Sequence, residues 1–460
     1  MIAVLVGLVL PSASTWLLIR AAGLLARTES GALHVALAMA GGIGLSSMTT
    51  FACVCLGVRL GPGFVATDAA VWVALGVLSW WLGRSRMGSP GAAVVDAASP
   101  PSSLDWLART AFCLTAALAV ATVWSYVVAA PHGEWDAWAI WNQKARFLLR
   151  AGRDWTDVLA IAWSNPSHPL LVSISVARLW AYAGAELTAA PAVLSASYGA
   201  LVVSAIVGAL HPRHPGAWLA GAVVLAPAVF TQLAAAQTAD LPTGLFILLS
   251  LIMLRDVPEA DARRRPARWV AAGVLGSLAG WTKNEGVVFL ALAGGWMLLG
   301  AWRRGTWPRF GWWLAGVIPV FATTVWFKVV VAPAAPLYMS EPVTMAAIVG
   351  RVFALDRHTA IGSLVWRMAG RWGGPIAFGS LPAALVASVL AAVRGSPAAR
   401  FALAVVAPML AAYWAVWVVS PLDTAWLVST TFDRLVCQVW PTLVLASFSG
   451  GDSTVSRSEC

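Results

Sequence analysis

The sequence changes character at Gly133-Glu-Trp-Asp-Ala-Trp-Ala-Ile-Trp-Asn-Gln-Lys-Ala-Arg146, a segment that closely follows an apolar run at residues 106–130. The run is long enough to cross a bilayer, because a membrane-spanning helix needs about 20 mostly apolar residues. The segment after it carries Glu134, Asp136, Lys144 and Arg146 among three tryptophans. Charge beside hydrocarbon is costly and is usually kept for a function. This segment is therefore the first candidate site, at the point where a membrane helix ends.

Composition places the chain among multi-pass membrane proteins. Hydrophobic residues make up 60% and charged residues only 11% of the 460 residues, whereas soluble domains have about 25% charged residues. Lipid offers the backbone no hydrogen-bond partner, so each long apolar run is predicted to be a helix. We predict an all-α polytopic membrane protein with about 13 transmembrane helices. The apolar runs lie at residues 2–26, 31–58, 65–83, 106–130, 191–210, 216–236, 240–254, 268–282, 285–302, 310–331, 376–393, 401–420 and 435–449.

The basic residues indicate how these helices are oriented. The formal net charge is +10, but the Lys and Arg residues lie in short loops between apolar runs, so nucleic acid is not a predicted partner. Cytoplasmic loops are rich in Lys and Arg, which places the arginines at residues 84–86, 255–268, 303–309 and 394–400 inside. Residues 131–168 then form an outer loop, and residues 169–187 are predicted to be a partial or re-entrant helix. The predicted location is the inner (cytoplasmic) membrane.

Four segments are predicted along the chain. Residues 1–84 form accessory N-terminal transmembrane helices. Residues 85–105 contain Met-Gly-Ser-Pro-Gly and Ser-Pro-Pro-Ser-Ser and are predicted to be a flexible cytoplasmic linker. Residues 106–449 form the transmembrane core, and the polar residues 450–460 form a disordered tail.

Polar insertions are predicted to meet at one membrane face. Counting crossings from the outer loop 131–168 puts Gln237-Thr-Ala-Asp240, Trp281-Thr-Lys-Asn-Glu-Gly286 and residues 421–434 on the same face as that loop. Ionisable residues at membrane depth are rare and usually line a cavity or a pathway. We therefore expect a shared outward-facing cavity that contains several carboxylates and several cations.

Motifs in the core carry a family resemblance. They are Trp-Asp-Ala-Trp-Ala-Ile-Trp-Asn-x-Lys-Ala-Arg in the first outer loop, Ala239-Asp240, Trp281-Thr-Lys-Asn-Glu-Gly286, and Asp433-Arg-Leu-Val-Cys-Gln-Val-Trp-Pro441. Together they resemble bacterial GT-C superfamily glycosyltransferases, which are related to protein O-mannosyltransferases and aminoarabinose lipid A transferases. The resemblance covers residues 106–449. It implies a GT-C-like bundle with an interfacial helix in the outer loop, a polyprenyl-phosphate sugar as donor, and a catalytic acidic residue that matches Asp136.

One motif departs from the family pattern. Such proteins often carry His-Pro-Asp-Tyr-Pro-Leu-Leu after the first loop, and the ungapped match here is Asn165-Pro-Ser-His-Pro-Leu-Leu171. The acidic and aromatic positions are replaced, so a second catalytic carboxylate is absent from this motif. The absence of these two side chains would alter the usual contacts with the acceptor, or remove catalytic activity itself.

The implied reaction assigns roles to nine residues. Transfer of a sugar from a lipid phosphate to a hydroxyl needs a carboxylate to accept the proton and cations to hold the departing phosphate. The catalytic candidates are Asp136, as the base, and then Glu134 and Asp240. The substrate-binding candidates are Lys283, then Arg434, then Lys144 or Arg146, together with Glu285 and His168. The acceptor is a glycan, a lipid or a protein, membrane lipids surround the enzyme, and no cofactor or metal is predicted.

The charged candidates also have structural interpretations. Asp136 can pair with a cation of its own segment, Lys144 or Arg146, about two helical turns away. Asp240 is a suitable N-cap residue for a helix that begins near Pro242. Lys283 can form a local turn pair with Glu285. Glu134 is suited to the start of an interfacial helix.

Two further interpretations follow from residue types and spacing. Trp135, Trp138 and Trp141 are three residues apart and are predicted to line one face of a short helix on the outer surface. A transporter or lipid flippase would also need charges at membrane depth. The altered segment at residues 165–171 keeps open a third class, a membrane protein that has the fold without the catalysis.

The predicted orientation can be tested with single cysteines. A cysteine at Asp136 or Glu285 should react with an impermeant thiol reagent added outside, because both positions lie in predicted outer loops. A cysteine at Arg264 should not react until the membrane is permeabilised. Labelling at position 264 alone would reverse the orientation.

Overall fold

The computed structural model describes residues 1–24, 30–87, 102–210, 216–255, 265–332, 344–374 and 379–449. Within these ranges all regular secondary structure is helical. The α-helices are α1 (Ile2–Ala22), α2 (Gly31–Cys55), α3 (Pro62–Met87), α4 (Ser103–Ala129), α5 (Asn142–Arg150), α6 (Leu171–Ala183), α7 (Ala189–Leu210), α8 (Ala217–Leu225), α9 (Ala228–Ala235), α10 (Asp240–Leu254), α11 (Arg265–Thr282), α12 (Asn284–Arg304), α13 (Trp307–Trp326), α14 (Met345–Val352), α15 (Leu355–Arg371), α16 (Ser380–Val393), α17 (Pro397–Val419) and α18 (Thr424–Ser447).

The helices identify a multi-pass membrane protein. Among the described residues, eight helices are long and apolar enough to cross a bilayer: α1, α2, α3, α4, α7, α12, α13 with the turn after it, and α17. Three shorter apolar helices, α6, α10 and α16, have 10–17 residues. The remaining predicted spans lie in α11 and α18, which carry charged residues, so the count of about 13 stays a prediction. The predicted partial helix at 169–187 corresponds to α6, which has 13 residues.

One predicted span is broken by a proline. The apolar run at residues 216–236 forms two helices, α8 and α9, which are bent by 72° relative to each other. Pro227 lies between them with an extended backbone, at φ −66° and ψ 122°. Proline has no N–H to continue the helix and its ring clashes with the preceding turn. The backbone N–H of Ala228 donates instead to the carbonyl oxygen of Gly373, at 3.2 Å.

The N-terminal helices pack directly on the rest of the bundle. Helix α1 packs on α2, α3 and α6, and α2 packs on α6 and α7. A buried ion pair ties α3 to α6, since Arg178 Nη2 lies 2.5 Å from Asp68 Oδ2 and both side chains are less than 5% exposed. Arg178 also donates to Gly7 O, and the Tyr182 hydroxyl donates to Asp68 at 2.7 Å. A buried charge is tolerated when it is paired and hydrogen-bonded.

The predicted linker and tail fall largely outside the described residues. Helix α3 continues to Met87, and α4 begins at Ser103 behind a capping box between Ser102 and Asp105. The linker predicted at 85–105 is therefore shortened by helix at both ends, and its residues 88–101 lie outside the described ranges. The tail predicted at 450–460 also lies outside them, as does Arg264.

Three consecutive helices separate polar turns from arginine-rich loops. Helix α10 begins at Asp240 and is followed by Arg255, and α11 then runs back from Arg265 towards Lys283. Helix α12 leaves Lys283 and carries Arg303 and Arg304 in its last turn. The two kinds of loop therefore lie at opposite ends of these helices. We refer to the end with Asp240 and Lys283 as the site end.

A close approach at Gly286 shapes the turn between α11 and α12. A Cβ atom added to Gly286 would lie 2.0 Å from the carbonyl oxygen of Ala279. The same turn is held by hydrogen bonds from Lys283 N to Ala279 O, at 3.1 Å, and from Gly286 N to Lys283 O, at 3.0 Å. Only glycine fits this position without moving backbone, so Gly286 sets where Lys283 lies.

Replacing this glycine should destabilise the protein. Gly286→Ala should lower the apparent midpoint of thermal unfolding in detergent, because overpacking a close contact costs about 1–3 kcal/mol. Gly295→Ala in the same helix is the matched control, since its added Cβ would meet nothing within 4 Å. The control should be neutral or slightly stabilising, by about 0.5–1 kcal/mol at most. Equal midpoints for the two variants would contradict this account of the turn.

Candidate functional site

Five charged side chains from four separate segments meet at the site end. Asp136 follows α4 and directly precedes a π-helix at Ala137–Trp141, Asp240 is the first residue of α10, and Arg434 lies within α18. Lys283 joins α11 to α12, and Glu285 lies in the first turn of α12. All five are candidates predicted from the sequence, and the structure brings them together.

These side chains form a continuous chain of ion pairs. Arg434 Nη1 lies 2.6 Å from Asp136 Oδ2, and Arg434 Nε lies 3.0 Å from Asp240 Oδ2. Lys283 Nζ lies 2.8 Å from Asp240 Oδ1 and 2.8 Å from Glu285 Oε1. The order is therefore Asp136, Arg434, Asp240, Lys283, Glu285, with carboxylates and cations alternating. We call these five residues the charge chain.

Asp240 is the buried centre of the charge chain. Its side chain has 0% exposure, and it also accepts a hydrogen bond from Gln438 Nε2 at 2.9 Å. The Tyr413 hydroxyl in turn donates to Gln438 Oε1 at 3.0 Å. The N-cap interpretation of Asp240 is wrong, because Ala239 is the N-cap residue and no side chain caps the helix. The carboxylate instead holds two cations, one of them 194 residues away in sequence.

Asp136 is the partly exposed end of the charge chain. Its side chain is 22% exposed, and its ion-pair partner is Arg434. The alternative pairing within its own segment is therefore wrong. Arg146 lies 3.3 Å from Glu186 and against the ring of Trp180, so the structure places it away from the charge chain. The local pair between Lys283 and Glu285 is present, but Lys283 binds Asp240 as well.

Lys144 lies beneath the altered motif at residues 165–168. Its side chain is fully buried, and Nζ donates to Asn165 O at 2.7 Å and to His168 O at 3.3 Å. Burial, together with the positive charge of Lys328, lowers the pKa of Lys144 to about 7. Its Nζ atom is buried and holds the backbone of this loop, whereas the sequence-based prediction places it on a phosphate.

His168 is held between three elements. Its ring stacks on Trp141, with an interplanar angle of 4°, and its Nδ1 lies 3.2 Å from Asn284 Nδ2. Burial and the nearby charge of Lys144, followed by those of Lys283 and Lys328, hold the pKa of His168 well below its ordinary value. The imidazole is therefore neutral at physiological pH, and Nδ1 accepts the proton of the Asn284 amide.

Lys328 is a site residue that the sequence analysis missed. Its Nζ donates to Ser167 O at 2.9 Å and to Asn284 Oδ1 at 2.5 Å. It lies in a π-helix at Phe327–Val331, which continues α13. The available signal was a single lysine near the end of the apolar run at 310–331. Lys144 and Lys328 thus both donate hydrogen bonds to backbone carbonyl groups of the loop at residues 165–168.

A hydrogen-bonded turn joins the first outer loop to α10. Gln237 has a positive φ of 60°, and its side chain accepts from Asn142 Nδ2 at 2.8 Å and donates to Pro131 O at 3.1 Å. Glu134 lies beside this turn, with its backbone N–H 3.3 Å from Ala236 O, and its exposed carboxylate accepts from the Tyr126 hydroxyl at 2.9 Å. Glu134 is thus held at this turn and is not one of the ion-paired residues of the charge chain.

The predicted tryptophan face is wrong. Trp135 and Trp138 are 50% and 48% exposed, whereas Trp141 is fully buried. The reason is the π-helix at Ala137–Trp141, in which hydrogen bonds run from i to i+5 and widen the turn. Three-residue spacing does not line up side chains on one face of such a helix, and Trp141 turns inward to His168.

The fold and the site define the class as a multi-pass membrane protein with a charge chain, centred on the buried Asp240, at one end of its bundle. Among the described residues, no three His, Cys, Asp or Glu side chains are grouped in a way that would hold a metal ion. Comparison of the chain with family models, curated proteins and solved structures gives no match. The family resemblance therefore stays a prediction that rests on the motifs.

The two aspartates of the charge chain should differ in their effect on stability. Asp240→Asn leaves Lys283 and Arg434 without their shared buried counter-charge, and breaking a buried pair costs about 3–5 kcal/mol. Asp136→Asn removes a partly exposed pair, which contributes about 0–1 kcal/mol. Thermal unfolding of both variants in detergent checks this, with Asp240→Asn much the less stable. Similar midpoints would show that the cations do not depend on Asp240.

Proposed function

We propose that the protein is a membrane glycosyltransferase of the GT-C type that moves a sugar from a polyprenyl-phosphate donor to a hydroxyl group of an acceptor. The observation that carries the proposal is the Asp136–Arg434 pair at 2.6 Å. It places a partly exposed carboxylate, suited to take a proton, beside a cation suited to hold phosphate. The sequence motifs around both residues support the same assignment.

The proposed reaction uses the two ends of this pair separately. Asp136 accepts the proton of the acceptor hydroxyl as the acceptor oxygen bonds to the anomeric carbon of the sugar. The bond between that carbon and the phosphate oxygen breaks, and the electron pair leaves with the polyprenyl phosphate. Arg434 and Lys283 stabilise the negative charge of the departing phosphate. The planar guanidinium of Arg434 matches two phosphate oxygens, while Lys283 supplies a point charge.

The pairing of Asp136 with Arg434 also suggests how the donor prepares the base. A phosphate that approaches Arg434 competes with the Asp136 carboxylate for the same N–H groups. Asp240 keeps Arg434 in place during this exchange, because it binds Nε from the buried side at 3.0 Å. Asp136 is then released to face the acceptor. Donor binding before acceptor activation follows from this arrangement.

Lys328 and the remaining predicted site residues act through position in this proposal. Lys144 and Lys328 hold the loop at residues 165–168, and this loop carries His168 towards Asn284, the neighbour of Lys283. Glu285 is the second carboxylate partner of Lys283. Glu134 flanks the site. Arg146, paired with Glu186, supports α5 and does not contact the donor.

Several parts of the proposal follow from the chemistry of the donor. A polyprenyl tail dissolves in the bilayer and presents its phosphate at the boundary, which is where a membrane helix ends at Ala129 and the charge chain begins. The proposed setting is the outer face of the cytoplasmic membrane, and the acceptor is a glycan, a lipid or a protein. The segment Asn165 to Leu171 lacks the second acidic residue of the GT-C pattern, so a protein with this fold and no catalysis is one alternative. A transporter or lipid flippase is the other.

A single substitution tests the proposed base. Asp136→Asn keeps the size of the side chain and cannot accept a proton, so transfer should fall by about 10²- to 10⁴-fold. The measurement is the glycan and lipid-linked sugar content of cells that carry the variant, the unchanged protein or neither. Asp157→Asn is the matched control, because Asp157 is an exposed carboxylate of the same outer loop, and it should behave like the unchanged protein.

The same measurement separates the alternatives. If Asp136→Asn retains normal glycan content, Asp136 is not the base. If deletion of the protein changes no glycoconjugate, the transferase proposal itself fails. A flippase would instead move a lipid-linked sugar across proteoliposome membranes without altering its chemical structure.

A further inference from the structure

Helix α14 presents an apolar surface that the described residues of the protein do not cover. This helix has no buried residue. Large apolar side chains project from it and from the bend that follows: Met345 is 73% exposed, Val349 46%, Phe353 81% and Leu355 75%. Together these four side chains form what we call the α14 surface.

Two arginines fix the opposite side of this segment to the bundle. Arg351 Nη1 donates to Val419 O at 2.9 Å. Arg357 Nη2 donates to Trp417 O at 2.9 Å and to Ser420 O at 2.6 Å. The carbonyl groups at the end of a helix lack intrahelical partners and carry partial negative charge. The cations therefore bind the carboxyl end of α17, and the α14 surface faces away from it.

A histidine holds the bend between α14 and α15. The indole Nε1 of Trp414 lies 3.2 Å from His358 Nδ1, and His358 Nε2 lies 2.9 Å from Val352 O. The indole N–H can only donate, so His358 Nδ1 accepts from it. His358 Nε2–H then donates to Val352 O. This hydrogen bond fixes the carbonyl group of Val352, the residue directly before the exposed Phe353.

The length of α17 places this segment at the depth of the lipid headgroups. Helix α17 has 23 residues and is about 34 Å long, slightly longer than the hydrocarbon core of about 30 Å. Its carboxyl end therefore reaches the headgroup region. Hydrogen bonds from Tyr413 to Gln438 and from Trp417 to Thr431 align α17 with α18. Arg434 lies in α18 between Thr431 and Gln438, the two residues that bind α17. Helix α14 is bound to the carboxyl end of α17, so it lies at the site end, beyond the charge chain.

Exposed apolar side chains of other helices lie at the same end of the bundle as the α14 surface. At the same end of the bundle, Val416 on α17 is 57% exposed, and Val330 at the end of the α13 span is 65% exposed. Trp426, at the start of α18, is 56% exposed, and tryptophan is typical of the membrane–water interface. The apolar face of an interfacial helix is buried at the headgroup–acyl boundary.

We propose that α14 and the bend after it form a membrane-seated wedge, in which Met345, Val349, Phe353 and Leu355 insert into the lipid leaflet at the site end. The partner is the bilayer surface. Arg351 and Arg357 hold the wedge to α17 from the protein side. The proposal does not depend on the proposed glycosyltransferase activity, since it concerns only where this segment lies.

Depth-dependent quenching of a fluorescent label tests the wedge. The full chain carries a single labelled cysteine at Phe353 or, independently, at Val349, after replacement of Cys53, Cys55, Cys113 and Cys460; Cys437 is fully buried and stays. The protein is reconstituted in liposomes whose acyl chains are brominated, and iodide serves as the aqueous quencher. A label at Val330 is the lipid-facing control, and a label at His132, an exposed residue of the outer loop, is the aqueous control.

The expected result is that labels at 353 and 349 match the label at 330. Bromolipid should quench them at least about twofold more than it quenches the label at 132, because bromine quenches only within the leaflet that the wedge enters. Quenching by iodide and not by bromolipid would place the segment in water. Protection from both quenchers would show that another protein or a second copy covers it. Either of these outcomes, at either position, overturns the proposal.

Discussion

The burial of the Asp240 carboxylate is the constraint on which the site depends. A carboxylate without solvent must be neutralised and hydrogen-bonded, or it is strongly destabilising. Asp240 meets this need with Lys283, Arg434 and Gln438. Lys283 joins α11 to α12, and Arg434 and Gln438 lie in α18, so the carboxylate fixes the relative positions of α10, α12 and α18. The partly exposed pair at Asp136 is built on this rigid centre.

Sequence reasoning found the charge chain because its members are conspicuous. Asp136, Asp240, Lys283, Glu285 and Arg434 are charges at the ends of apolar runs, and hydrocarbon makes every such charge notable. Their convergence was also predictable from counting membrane crossings. The pairing was not, because an ion pair between residues 194 positions apart depends on which helices pack together. From the sequence alone, the near neighbours Lys144 and Arg146 were the alternative partners considered for Asp136.

The other errors have local physical causes. The π-helix at Ala137–Trp141 changes the direction of Trp141 without a sequence signal that hydrophobic spacing detects. Pro227 divides a run that hydropathy alone reads as one span. Helices α14 and α15 went unassigned because α14, with 8 residues, is too short to be predicted as a span, and α15 carries too many charged residues. Gln438 and Tyr413, neutral residues within apolar runs, gave no charge to notice, although they complete the shell around Asp240.

The distribution of the charge chain along the sequence has a consequence for biosynthesis. Arg434 lies in α18, so a growing chain contains Asp240 and Lys283 long before it contains Arg434. At about 5–20 residues per second, the ribosome needs on the order of 10–40 s to add the 194 residues between Asp240 and Arg434. During that interval the nascent bundle holds an incompletely neutralised carboxylate. The charge chain can therefore form only after α18 has been made, because Arg434 joins Asp136 to Asp240.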